Sequence, residues 1–188
     1  IVNRSGSLVL DGAISGSGWM VKLGSGTLTL SGSNSYEGVT SVTQGTIVVT
    51  NNFGLGTAEG TGVEDGGTLH LDNVDIGDET LWLIGSGTGV GGQGALTVTG
   101  TSSTGGIVSF DYATVGIADD STLTLRGSVG TGLMTKIGLG TLVLTGTTDN
   151  PGLTLLFTAG QLILANESSS YVHAIADGLT IGSVASVQ

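Results

Sequence analysis

Four acidic residues crowd into eight consecutive positions of the chain: Asp72, Asp75, Asp78 and Glu79. Alternating carboxylates on a loop could supply several of the roughly six to eight oxygens that Ca²⁺ prefers. However, the segment has no glycine at the EF-hand turn position with a closing glutamate at the matching distance. We therefore predict a solvated turn whose charge favours solubility, and no metal site.

Two pairs of adjacent carboxylates, Glu64-Asp65 and Asp119-Asp120, invite comparison with glycan-cleaving sites, which use two carboxylates around one glycosidic bond. Neighbouring residues on a strand point to opposite faces, so adjacency does not bring both carboxylates to one substrate. Both pairs precede repeated apolar segments in glycine-containing turns, and we predict solvated corners there. The basic residues are too sparse to form a clamp for an acidic sugar: Arg4, Lys22, Arg126 and Lys136.

The two histidines are His70 and His173. A Ser-His-Asp arrangement could be drawn from His70, Asp72 and a serine, but no Gly-x-Ser-x-Gly elbow is present to hold a nucleophile. His70 lies between two leucines and should face outward from its strand. Aromatic side chains could stack on sugar faces if they are exposed, and the candidates are Trp19, Trp82, Tyr36, Tyr112 and Tyr171.

Residues 87–92 match the pattern Gly-x-Gly-x-x-Gly. A dinucleotide site needs that loop between a strand and a helix, and no helical period follows it here. Residues 91–98 are similar to a calcium-binding nonapeptide, but Leu96 stands where the aspartate is required. The sequence therefore predicts no catalytic residue, no cofactor and no metal.

Composition narrows the fold to an all-β chain. Of 188 residues, 36 are Gly, one is Pro and none is Cys, which excludes collagen and a disulfide-stapled domain. The mean hydropathy of +0.38 argues against disorder, and the many Gly, Ser and Thr residues disfavour a helical bundle. A net charge of −11 sets nucleic-acid binding aside. No apolar run of about 18 residues is present, so we expect no membrane insertion by this segment.

A short motif recurs along the chain: a small or glycine pair, then apolar-x-apolar. The first apolar residues are Leu8, Leu28, Ile47, Leu69, Leu96, Leu123, Leu142, Leu162 and Leu179. The spacing is nearly regular, except that the intervals from Leu69 to Leu96 and from Leu96 to Leu123 are longer than the others. Each triplet is a short strand that cannot bury its apolar side alone, so stacking coils of about 20 residues would bury a shared core.

This period predicts a β-solenoid of about nine coils spanning 1–188, in which each triplet stacks on the one before. The longer intervals predict a wider coil or protruding loop at about 72–95. Between Val98 and Leu123, we expect a turn at 101–106 and a strand at 107–110. The chain opens with Ile1 rather than with a start Met or a signal region, and we interpret it as a segment of a longer protein.

A longer motif is repeated on top of the triplets. Residues 22–30 read KLGSGTLTL and residues 136–144 read KIGLGTLVL. The stretch 22–49 closely resembles the autotransporter-associated β-strand repeat, with Lys-x-Gly-x-Gly-Thr-Leu-x-Leu followed by Asn-x-Tyr-x-Gly. Residues 136–164 resemble a divergent copy, in which 147–152 replace the Asn-x-Tyr-x-Gly turn. The resemblance implies a right-handed, single-stranded parallel β-helix from the passenger of a type V-secreted surface protein.

Three hypotheses for function follow. The preferred one is a structural stalk or adhesive passenger segment at the bacterial cell surface, without catalysis, whose partners are molecules of host or neighbouring cells. The second is a self-associating β-solenoid fibre or surface-layer building block, because an open solenoid end offers unpaired backbone groups to another copy. The third is a glycan-active β-helix enzyme.

Overall fold

The computed structural model describes residues 1–57, 60–87, 94–150, 152–167, 173–175 and 178–187. Within those ranges the chain forms twenty strands and no helix. The strands are β1 (Val2–Asn3), β2 (Leu8–Leu10), β3 (Ser15–Gly16), β4 (Met20–Leu23), β5 (Thr27–Leu30), β6 (Ser35–Tyr36), β7 (Thr40–Val42), β8 (Gly45–Val49), β9 (Thr61–Val63), β10 (Gly67–Asp72), β11 (Leu81–Ile84), β12 (Leu96–Thr99), β13 (Thr101–Thr104), β14 (Val108–Asp111), β15 (Ala113–Ile117), β16 (Thr122–Leu125), β17 (Gly132–Ile137), β18 (Thr141–Gly146), β19 (Leu153–Asn166) and β20 (Gly178–Val187).

Every strand pairing is parallel, and each turn of the chain contributes to three faces. The first face is the ladder β1-β4-β7-β9-β11-β14. The second face runs β2-β5-β8-β10-β12-β15-β17 and continues into the first halves of β19 and β20. The third face contains β3, β6, β13, β16, β18 and the second halves of β19 and β20.

The β-solenoid predicted from the period is confirmed. The parallel strands stack through about eight turns, close to the nine coils expected. On the second face Leu8 pairs with Leu28, Leu28 with Ile47, Ile47 with Leu69, and Leu69 with Leu96. All but Leu8 of these five are fully buried, because alternate strand residues point inward and the ladder places them over one another.

The shared column changes course after Leu96, and here the prediction was wrong. Leu96 pairs with Val115 rather than with Leu123. Leu123 instead pairs with Ser102 on the third face, and Leu142 and Leu162 continue that column. The interval from Leu96 to Leu123 is therefore not one long coil, because the triplet motif has moved from the second face to the third.

Residues 101–104 form β13 instead of the expected turn. Gly100 adopts a φ of 65°, which lets β13 follow β12 after a single residue. Ser102 and Thr104 point inward and are buried, where Ser102 Oγ accepts a hydrogen bond from Val74 N and Thr104 Oγ1 donates to the carbonyl of Glu79. These hydroxyls bond the backbone of the irregular bend beneath them, so this polar segment belongs in the core.

The strand expected at 107–110 is confirmed as β14. Leu69 and Leu96 are direct partners despite the long interval between them, and β11 forms within that interval. Residues 88–93 of the predicted wider coil lie outside the described residues.

Candidate functional site: inter-coil clamps and two outward surfaces

Two buried lysines join successive coils. Lys22 Nζ donates to the carbonyls of Leu23 (3.1 Å) and Gly24 (2.6 Å) and to Gln44 of the next coil (3.2 Å). Lys136 Nζ repeats the arrangement with Ile137 (3.3 Å) and Gly138 (2.7 Å), and with Ala159 of the next coil (2.8 Å). The lysines therefore act as structural clamps, and neither is available as a surface charge.

Burial lowers the pKa of both lysines because the charged form loses its hydration. For Lys136 the pKa falls to about 8. Its Nζ also lies 5.3 Å from the centre of the Phe157 ring, which stabilises the cation in part. Among the described residues no carboxylate forms an ion pair with either lysine.

Two buried asparagines form a second pair of clamps. Asn34 Oδ1 accepts from Ile14 N in the preceding coil, and its Nδ2 donates to the carbonyl of Gly54 in the next. Asn150 does the same between Val129 N and the carbonyl of Ala174. The divergent turn at 147–152 therefore keeps the asparagine of the first copy.

An outward groove of about 260 Å³ lies on the second face. His70 is half-buried in it and points outward as predicted. The groove is lined by Thr46 and Val48 on one side of His70 and by Thr97 on the other, and Gly116 leaves a gap in the outward column.

The groove has a fixed hydrogen-bond chain. Thr99 Oγ1 donates its proton to Asp72 Oδ1 (3.0 Å), so it accepts from His70 Nε2 (3.1 Å). His70 Nδ1 then accepts from the hydroxyl of Thr97 (2.8 Å). Burial lowers the pKa of His70 and Asp72 opposes the shift, which leaves a neutral imidazole at pH 7. Thr99 separates the carboxylate from the imidazole, so a Ser-His-Asp arrangement does not form here.

The acidic group at 72–79 does not converge. Asp72 bonds Thr99, and Asp75 forms an ion pair of 2.8 Å with Arg126 that lowers the pKa of its carboxyl group. Asp78 is exposed. Glu79 contradicts the expected solvated turn because it is buried. No group of three His, Asp or Glu side chains in the described part of the chain is placed to hold a metal ion.

Glu79 belongs to a buried polar cluster. Its Oε1 accepts from Thr61 Oγ1 at 2.7 Å, and burial raises the pKa of Glu79 to about 7. Nearby, the Tyr36 hydroxyl bonds Thr40 Oγ1 at 2.6 Å, and burial together with the charge of Glu79 raises the pKa of Tyr36 to about 12. The sequence signal that could have revealed this cluster is weak, because Glu79 sits among exposed carboxylates.

The remaining candidates are separated from one another. Glu64, Asp65, Asp119 and Asp120 are all exposed, as the turn prediction required. His173 contacts Asp149 at 3.3 Å, far along the chain from His70. Residues 88–93, which contain most of the Gly-x-Gly-x-x-Gly match and the start of the nonapeptide-like segment, lie outside the described residues, as does Tyr171.

Three of the candidate aromatic residues are exposed. Trp19 is 75% exposed, Trp82 43% and Tyr112 76%, whereas Tyr36 is 2% exposed and serves the core. Trp19 and Trp82 lie on the outer side of the first face, and Tyr112 sits at the corner between the first and second faces. No helix in the described ranges has the length and apolarity needed to cross a membrane.

The family model of the passenger-associated-transport-repeat matches residues 20–49 and 134–164. The chain carries two passenger-associated transport repeats. This confirms the resemblance read from the lysine- and glycine-containing motif. Over 136 residues, or 71% of its length, the chain is 37% identical to the adhesin BmaC autotransporter of Brucella suis biovar 1 (strain 1330). It spans 4% of that protein's length. No solved structure matches.

Each passenger-associated transport repeat contains one lysine clamp and one asparagine clamp, and the geometry explains the motif. In the first repeat, a Cβ at Gly45 would lie 2.5 Å from the carbonyl oxygen of Gly26 and 2.8 Å from Lys22 Nζ. In the second, a Cβ at Gly160 would lie 2.7 Å from the carbonyl of Gly138, which accepts from the lysine clamp. These two glycines, Gly45 at the start of β8 and Gly160 within β19, therefore leave room for the lysine clamp of the preceding coil.

The two repeats occupy different faces. The lysine of the first repeat is on β4 of the first face, and that of the second is on β17 of the second face. The following strand is β5 on the second face in one case and β18 on the third in the other. The second repeat is therefore rotated by one face about the solenoid axis.

Proposed function

We propose that this chain is a rigid structural and adhesive segment of a bacterial surface passenger, displayed outside the cell and acting without catalysis. The observation that carries this proposal is the uninterrupted parallel ladder of the second face, which runs from β2 to β20. Such a ladder holds outward side chains at fixed intervals of about 4.8 Å. The relative named an adhesin autotransporter, and the two passenger-associated transport repeats, support an adhesive passenger role.

The arrangement of polar side chains supports a role without catalysis. In the groove, the hydrogen-bond chain runs from Thr97 through His70 and Thr99 to Asp72, and it lacks a carboxylate bonded to the imidazole. The two adjacent carboxylate pairs lie in separate exposed turns. Neither the groove nor these turns combines a nucleophile, a base that orients it, and hydrogen-bond donors that stabilise the charge of a transition state.

Bead adhesion tests this proposal. Polystyrene beads carrying the chain are passed over cultured animal cells and over lawns of bacteria, and retention under flow is compared with that of albumin-coated beads. We expect retention several-fold above albumin on at least one surface, with no release of sugar or peptide into the medium. Retention equal to albumin on every surface would contradict the adhesive role, and release of cleaved material would contradict the absence of catalysis.

A further inference from the structure

We propose that the outer side of the first face is a carbohydrate-binding surface that stacks a neutral polysaccharide against Trp19 and Trp82. The proposal deepens the adhesive function proposed above and rests on it. The two residues are the only tryptophans of the sequence, and both are on the outside of the same parallel ladder.

The register of the ladder arranges the outward side chains in two adjacent columns. The backbone bonds Met20 N to Val39 O (3.0 Å) and Thr61 N to Thr80 O (2.8 Å) extend the pairing to the residue before each strand. The first column therefore contains Trp19, Val39, Gly60, Thr80 and Ile107, and the second contains Val21, Ser41, Gly62, Trp82 and Ser109.

Glycines of neighbouring coils let both indoles lie close to the sheet. A Cβ on Gly60 would lie 2.7 Å from Trp82 Cζ3 and 3.0 Å from Cη2, so the ring covers this glycine. Gly60 is buried although it is outside the core, while Trp82 remains 43% exposed. A Cβ on Gly38 would likewise lie 2.8 Å from Trp19 Cδ1. A side chain at either glycine would displace an indole.

The exposure of these two rings is unfavourable unless something covers them. An aromatic side chain of this size buries about 150–250 Å² when it packs, and the same face buries Phe110 in its interior. The core is therefore able to take aromatic residues, yet both indoles are held outside. Flat rings resting on glycine offer the kind of platform on which the C–H face of a sugar ring stacks.

The charge of the surface favours a neutral ligand. None of the ten residues in the two columns is charged, in a chain with a net charge of −11. The nearest lysine of the same face, Lys22, points into the core and is buried. A sulfated or phosphorylated partner would find no cation here and would be repelled by the surrounding charge. The serine and threonine hydroxyls of the columns can bond sugar hydroxyls instead.

The spacing of the rings favours a chain over a single sugar. Trp19 precedes β4 and Trp82 is on β11, three ladder steps away through β7 and β9. Three strand spacings correspond to about 14 Å along the solenoid axis. A ligand in contact with both rings must be extended along that axis, as several linked sugars are.

Affinity electrophoresis of the full chain tests the proposal. Gels contain galactomannan, mixed-linkage β-glucan or dextran, with heparin as the charged comparison. Tryptophan emission is followed in the same mixtures, because both fluorophores are on the surface in question. We expect retardation by at least one neutral polysaccharide, with a blue shift of the emission. Trp82→Ala and Trp19→Ala should each weaken binding by about tenfold, as expected for the loss of ~1.4 kcal/mol, while Trp82→Phe keeps most of it.

Tyr112→Ala and Phe53→Ala are matched controls, since both remove an exposed aromatic side chain away from the two columns, and they should bind as the parent chain does. Absence of retardation by all three neutral polysaccharides overturns the proposal, as does retardation that survives both tryptophan variants. An emission shift produced only by heparin, by phosphatidylcholine vesicles or by raising the concentration of the chain itself also overturns it. Beads that adhere to cells while no polysaccharide binds would remove this proposal and leave the adhesive role standing.

Discussion

The lysine clamp of the second repeat predicts a stability that rises in alkaline solution. The Lys136 ammonium is fully buried, and its pKa is about 8 in the folded chain against 10.5 when unfolded. Between those values the unfolded chain binds more protons than the folded one, so the free energy of unfolding increases with pH. Below pH 8 both states are protonated, and the burial of the charge destabilises the fold.

The size of the effect follows from the two pKa values. Integrating the linkage for one group from pH 7 to pH 9.5 gives about 2 kcal/mol of added stability. Lys136→Met removes the titrating group and keeps a flexible apolar chain of similar length. The difference in free energy of unfolding between parent and variant should therefore shift by about 2 kcal/mol in the parent's favour over this range. The contributions of Lys22 and Tyr36 are present in both proteins and cancel.

Urea unfolding at pH 7, 8, 9 and 9.5, followed by circular dichroism, measures this difference. Arg126→Met is the matched control, because it also replaces a cationic side chain by methionine, but on the surface instead of in the core. Its ion pair with Asp75 is solvent-exposed on both sides, so a constant loss of at most about 1 kcal/mol is expected. If the parent and Lys136→Met curves run parallel from pH 7 to 9.5, the lysine is not held as a desolvated cation and the clamp argument fails.

Three further variants test the other parts of the structure. Glu79→Gln should stabilise the chain by about 3 kcal/mol at pH 8 and abolish the loss of stability between pH 4.5 and 7, because Glu79 keeps its proton to about pH 7 only when folded. Thermal melts at pH 5 and 8 that show no such difference would refute this. Leu28→Asp should lower the free energy of unfolding by more than about 4 kcal/mol, since it buries an unpaired charge. Thr29→Asp, on the outward side of β5, should lower it by about 1 kcal/mol or less. Equal losses of stability in urea unfolding would contradict the assigned orientation of β5. Gly45→Ala should cost at least about 2 kcal/mol, because Gly45 has a φ of 75° and its Cβ would press on Lys22 Nζ; a melting temperature within a degree of the parent's would contradict the tight fit.

The strands and their inward residues were predictable because apolar alternation and glycine spacing report them directly. Leu8, Leu28, Ile47, Leu69 and Leu96 form the expected column. The period alone does not say which face a triplet occupies, however. The interval between two triplets becomes longer when the second triplet lies one face further along the coil. It also becomes longer when the coil itself contains more residues, and the sequence does not distinguish the two cases.

The clamps were harder to predict because their partners are backbone atoms. Lys22 and Lys136 bond carbonyls, which every residue carries, so no complementary side chain marks their burial in the sequence. Asn150 was hidden for another reason: it lies farther along the chain from Lys136 than Asn34 does from Lys22. The longer turn conceals the equivalence of the two asparagines until their bonds to neighbouring coils are seen.

The rotation of the second repeat by one face changes what repetition means for recognition. The two repeats have nearly the same sequence, but their equivalent strands face different directions around the solenoid axis. In a passenger with many such repeats, adding or omitting one strand such as β13 between two repeats changes the face on which the next repeat lies. Equivalent contact surfaces can then be distributed around the solenoid, or different contact surfaces can be placed on one side of it. The number of repeats in a sequence therefore does not determine how each repeat is oriented about the solenoid axis. That orientation decides which neighbouring molecules a solenoid at the cell surface can contact.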